Sequence, residues 1–194
     1  MIETWILPAL LGLGLAASTG LRTFLPLLML ALAAHFQLFG IELNEKMQWL
    51  GSMPAIAALG AATAIEFIGD KIPIVDHGLH AVGFVTRPIA AIIATWAVFS
   101  HVDPTIAAVA AVIIGAPAAF AFNAAQSGTR AASTAATGGM GNPLVSIAED
   151  VLAVVTVMIA FVLPLLIPVV IGLVLWLVIA MARKAARTVS TRPS

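Results

Sequence analysis

Three short segments hold the side chains of this chain that could carry chemistry. The first is Ser18-Thr19-Gly20-Leu21-Arg22, where a guanidinium stands inside a long apolar stretch. The second runs from Glu66 through Asp70, Lys71, Asp76, His77 and His80 to Arg87-Pro88. The third runs from Asn123 through Gln126, Arg130 and Asn142-Pro143 to Glu149-Asp150. Glu66 and Asp70 are four residues apart and share one face of any helix that contains both. Two such carboxylates repel unless a cation lies between them, and Lys71, Arg22, a proton or a metal ion could serve. Asp76, His77 and His80 are weak candidates for a transition-metal site or a proton relay. The third segment is too polar and too rich in glycine to face lipid. A helix starting at Asn142-Pro143 beside Arg130 would suit an anionic group. Arg22, Glu66, Asp70, Lys71, Asp76, Arg130, Asn142, Glu149 and Asp150 are therefore the expected lining of a substrate or ion pathway.

Each of these residues also has a plainer reading. Arg22 could lock two helices in a structural ion pair, and Asp and His near helix ends often bond loop backbone. The second segment lacks any regular zinc spacing. There is no His-Glu-x-x-His, no Walker loop, no Gly-x-Ser-x-Gly and no dinucleotide fingerprint, so neither an enzyme nor a cofactor is expected. The formal charge is zero and cysteine is absent. The first removes the basic field that nucleic acid would need, and the second excludes disulfides and thiolate chemistry.

The elements that must position these groups follow from composition. Hydrophobic residues make up 61% of the chain, charged ones 9%, and mean hydropathy is +1.10. A soluble domain is roughly one quarter charged, so the expectation is an all-α, polytopic membrane helical bundle. On a ruler of roughly 20 apolar residues per span, six spans are expected, at about 5–36, 49–69, 82–100, 105–126, 143–163 and 166–182. The first is one kinked helix or two half-helices meeting at Ser18–Gly20. The N-terminus lacks a basic region and is read as a retained first span, not a signal peptide. A short re-entrant helix through Ala131–Thr137, ended by Gly138-Gly139, fits the third polar segment. Residues 1–182 form a single transmembrane domain, and 183–194 a basic tail with Arg183, Lys184, Arg187 and Arg192. The positive-inside bias puts that tail, and with six spans the N-terminus too, on the cytoplasmic side. Gly20-Leu-Arg22 echoes Gly128-Thr-Arg130, and an inverted repeat of three spans plus three is the arrangement such an echo would reflect. Small residues recur at spacings of four, once five, in two stripes: Gly51, Ala55, Gly60 and Ala64, then Ala107, Ala111 and Gly115. Both imply close helix packing.

The segments Gly20-Leu-Arg22-Thr-Phe-Leu-Pro26, Glu66–Asp70-Lys71-Ile-Pro73…Asp76 and Gly128-Thr-Arg130…Gly141-Asn142-Pro143…Glu149-Asp150 make the chain resemble an uncharacterised family of small bacterial integral membrane proteins. The resemblance covers nearly the whole chain. It implies a compact inner-membrane bundle and supplies no substrate.

The leading functional expectation is a small transporter or permease-like homodimer, moving a proton, a cation or a small anionic solute such as a lipid phosphate. The alternative is a non-transporting membrane scaffold or assembly factor, with structural charge pairs and a basic tail on membrane lipid. A solvated cavity among Arg22, Glu66, Arg130 and Glu149 favours the first, and a filled interior with locally paired charges favours the second.

Overall fold

The computed structural model describes residues 1–70, 73–176 and 180, with the backbone alone over 73–81. All regular structure among them is helical. Helix α1 (Leu7–Leu21) follows without interruption from a π-helical start at Ile2–Ile6. It is followed by α2 (Leu25–His35), α3 (Met53–Gly69), α4 (Pro73–Ala97), α5 (Pro104–Thr137), α6 (Asn142–Val162) and α7 (Pro164–Trp176). Proline marks the first turn of every one of them. Its fixed φ suits that turn, where its missing N–H goes unused. Side chains complete two of these starts. Ser52 accepts from the Ala55 amide, and Asp103 accepts from those of Thr105 and Ile106.

α1 is the axis of the molecule, and it packs on α4, α5 and α6 at once. Its glycines allow the close approach. A Cβ on Gly12 would meet Thr95 at 2.6 Å, and one on Gly14 would meet Ala160 at 2.7 Å. On Gly20 it would lie 2.6 Å from the Ala119 carbonyl oxygen. The Thr95 hydroxyl donates to the Gly12 carbonyl, tying α4 to α1 at the same point.

The long first apolar stretch is two half-helices. The break falls at Arg22-Thr23-Phe24, just beyond the expected Ser18–Gly20, and Arg22 itself is extended (φ −134°, ψ 118°). α2 then doubles back along α1. Leu25 packs with Leu21 and Phe122, whereas Leu30, Ala31 and Ala33 pack with Leu15, Ala94 and Ala97. α3 returns beside α2, after a 64° bend from the 3-10 segment Glu45–Gly51. Asn44 pins this arm to the far end of α4, through its side-chain amide to the carbonyls of Phe99 and Val102.

Three helices among the described residues are long and apolar enough to cross a membrane, or four with the bent pair counted as one span, and the expected spans 82–100 and 166–182 adjoin or enter residues that are not described. The 5–36 stretch supplies one of the three, Ile2–Leu21, and its break leaves α2 with 11 residues, about 16 Å at 1.5 Å per residue. One expectation needs correcting: Ala131–Thr137 is not a separate re-entrant helix. α5 runs unbroken for 34 residues, about 51 Å, and ends where Gly138 and Gly139 take positive φ. Arg22 therefore lies at a break and Arg130 inside a continuous helix, so the sequence echo has no local structural counterpart. The basic tail lies outside the described residues.

Candidate functional site

Arg22 terminates α1 because extended backbone there turns its side chain into the interior, where it is wholly buried. Helix propensity does not demand a break at arginine, but the restart is prepared by Pro26 in the first turn of α2. The amides of that first turn need acceptors, and Phe24, the cap residue, supplies none from its side chain. Glu66, reaching from the last turn of α3, fills the gap. Its carboxylate accepts from the Thr23 amide at 2.8 Å and from the Phe24 amide at 3.2 Å. An anion at a helix start is favoured by the dipole as well as by the hydrogen bonds.

Around this joint the charges form one knot. The Arg22 guanidinium pairs with Asp70, with Asp150 at 2.5 Å, and donates to the Ser146 hydroxyl at 2.8 Å. Its carbon also lies 5.5 Å from the centre of the Phe67 ring. Arg130 pairs with Glu149 at 2.7 Å and reaches Asp70 at 3.5 Å. Gln126 donates to Glu149 at 2.8 Å and to the Leu21 carbonyl at 3.2 Å. Arg87 donates to the Gly20 carbonyl at 3.0 Å, to the Asn123 side-chain oxygen at 2.5 Å and to the Gln126 side-chain oxygen. Every connection joins separate elements, so the knot ties α1, α2, α3, α4, α5 and α6 at one level.

The charges are unequal. Arg22, Arg87 and Arg130 face Glu66, Asp70, Glu149 and Asp150, three positive groups against four negative ones among the described residues. Glu66 alone of the four carboxylates has no ion-pair partner among them. Beside it lies a cavity of about 50 Å³, bordered by Thr23, Phe24, Glu66, Asp70, Val82, Thr86 and Arg87.

The structure thus brings together Arg22, Glu66, Asp70, Arg130, Glu149 and Asp150 from the expected set. It separates Asn142, which opens α6 on the turn after α5 and bonds Thr134 at 3.0 Å. Gly141, not Asn142, is the residue before that helix. Lys71 lies outside the described residues, as do the side chains of Asp76, His77 and His80. Among the described residues no three Asp, Glu or His side chains are arranged to hold a metal ion. Arg87, Asn123, Gln126 and Ser146 belong to the knot and were not in the expected pathway. Arg87 had a signal, being ionisable within an apolar stretch. Gln126 and Asn123 had a fainter one, three residues apart on the face of α5 that also carries Arg130.

Neither a curated protein nor a solved structure matches this chain. A family model does, over residues 9–184, a span that contains every residue of the knot. On that match the chain belongs to the family described as a domain of unknown function, DUF4126.

Proposed function

We propose that this protein is a small membrane transporter of the permease kind, handling a proton or small cation through the knot. The observation that supports this reading is the burial of five charged side chains at a broken helix, with the partly buried Asp70 and Asp150 paired among them. A buried ion network contributes little to stability compared with apolar packing of the same volume. Ionisable groups within membrane helices mark ion pathways more often than they mark scaffolding. A half-helix start is where transporters hold charged substrates. Here the protein's own Glu66 occupies that start, and the three guanidiniums are engaged by carboxylates and carbonyls. An anionic solute would have to displace these contacts, so a cation is the better-supported cargo.

The Lys/Arg bias of the C-terminal tail, which lies outside the described residues, supports a cytoplasmic C-terminus in a bacterial inner membrane. Trp5 packs edge-on against Phe99 at 6.0 Å, beside the turn that follows α4.

A second reading, the non-transporting scaffold, is favoured by one observation: the cavity that the described residues form beside Glu66 is only about 50 Å³. Reconstituted vesicles discriminate the two. Wild-type protein should dissipate an imposed proton or sodium gradient, and Glu66→Gln and Arg130→Gln should abolish that flux while remaining folded and monodisperse. Undiminished flux in the variants would sink the site, and no flux in the wild type would leave the scaffold.

A further inference from the structure

The charge inequality and the cavity meet at one residue. Glu66 is 5% exposed, and its carboxylate is held by two backbone amides while each of the other three carboxylates touches a guanidinium. Asp70, one helical turn further along α3, borders the same cavity. So does Thr86, whose hydroxyl donates to the Val82 carbonyl at 3.2 Å and keeps its lone pairs for another donor or a cation. Arg87, 4% exposed, forms another wall, and its Nε–H has no acceptor among the described residues. A buried donor of that kind needs a partner, and in a polar cavity of this size the partner is water.

We infer that the cavity bordered by Glu66, Asp70, Thr86 and Arg87 is a binding site for one small monovalent cation, a partly hydrated alkali ion or a hydronium, and that Glu66 is its principal ligand. The inference rests on the transport reading for its physiological meaning, but it makes a binding claim of its own. One positive charge brings the four carboxylates and three guanidiniums to balance. Glu66 offers oxygen lone pairs, Asp70 a second carboxylate and Thr86 a hydroxyl, which are the hard ligands that an alkali ion or hydronium takes. Water between Arg87 and the ion accepts from Nε–H and shields the guanidinium from the incoming charge. The other charged groups of the knot lie on the surrounding elements: Arg22 at the α1–α2 joint, Asp70 at the end of α3, Arg87 on α4, Arg130 on α5, and Glu149 and Asp150 on α6. Lys71, next to Asp70 in sequence, lies outside the described residues, as do the side chains of His77 and His80.

The site also has a mechanical consequence. The same carboxylate that would ligate the ion caps α2. A cation drawing on Glu66 competes with the Thr23 and Phe24 amides for its lone pairs, which loosens the start of α2 and with it the elbow at residues 22–24. Ion occupancy and the set of the arm are thereby linked.

The test uses the full-length protein in detergent, with two readouts. Thermal unfolding in sodium chloride should rise saturably by several degrees over choline chloride of equal ionic strength. Hydrogen exchange at the amides of Thr23 and Phe24 should quicken severalfold over the same range. Glu66→Gln should lose both responses. Thr86→Val, which keeps the fold and every ion pair, should weaken the apparent affinity severalfold, so the proposal stays testable if Glu66→Gln folds poorly. A response to sodium at fixed pH assigns the site to an alkali ion. A response to pH alone, absent in Glu66→Gln and weakened in Thr86→Val, assigns it to hydronium, and either assignment supports the proposal. A pH response that Thr86→Val leaves untouched is protonation of the carboxylate alone and overturns it. Identical behaviour in sodium, in choline and across pH would overturn it, as would a Glu66→Gln protein that responds like the wild type. So would a silent wild type whose Lys71→Met variant gains the response, since Lys71 would then be the missing charge. Binding without flux in vesicles sinks transport alone, whereas flux with no binding signature sinks this site alone.

Discussion

The core of α1, α4, α5 and α6 and the arm of α2 and α3 draw on the same small, apolar residues and hold together by different means. In the core, Ala107, Ala111, Gly115 and Ala119 are buried along one face of α5, and Gly115 lies where a Cβ would approach the Ala91 carbonyl oxygen to 2.8 Å. On α3 the equivalent stripe is open. Gly60 has no neighbour within 4 Å of where its Cβ would be, and Ala64 is exposed. α3 packs mainly on α2, and little on α4. α2 packs its buried face into the apolar core. What fastens α3 to it is largely polar: the knot at residues 22–24, 66 and 70, with Asn44 securing the other end of the arm. Apolar packing without large side chains demands close backbones, and where the backbones stay apart the fold uses charge and hydrogen bonds.

That contrast can be broken first at the knot. Arg22→Met should destabilise the protein by about 3–5 kcal/mol, because it removes the buried guanidinium that Asp70 and Asp150 share. Unfolding titrations in detergent measure it, and a loss under about 1 kcal/mol would mean that the arm does not depend on the charges. A smaller effect is expected inside the core. Gly20→Val should cost about 1–3 kcal/mol, since its nearest obstacle is backbone, which cannot rotate aside. If the variant were neutral, the close contact of α1 with α5 would not be a source of stability. Smallest of all, Gly60→Ala should be neutral or stabilising by up to about 1 kcal/mol through helix propensity. A marked destabilisation there, or loss of an oligomer on size-exclusion chromatography, would show that the open face of α3 is covered by a second copy.

The helical class was legible because too few charges exist to coat a globule, and no packing detail alters that count. The start of α6 at Asn142-Pro143 was legible from its proline, whereas α4 begins at Pro73, ahead of the span expected from about 82. The end of α5 at Gly138-Gly139 could be read, but its continuity through Gly128 could not. A glycine costs a helix about 1 kcal/mol, which Gln126 and Arg130, both pinned by Glu149, readily offset. The position of the break was misread for a related reason. Gly20 looks like a hinge in sequence, but it serves as a contact surface for Ala119, and the chain breaks later, where Arg22 needs to turn inward. Arg87 was harder still. Its partners Gly20 and Asn123 lie 67 and 36 residues away, on helices whose facing surfaces no local pattern reveals.

Arg22 also carries a consequence for biosynthesis. Its partner Ser146 is 124 residues further along the chain, so the first helix is delivered to the membrane long before its charge can be fully matched. Asp70 arrives much sooner and can hold the guanidinium in the meantime. The nascent protein would then acquire its arm as an early clasp on α1, with α6 closing the assembly last. Synthesis from the N-terminus would order these events without any helper, and a ribosome stalled between α3 and α6 would present α1 and α3 already joined.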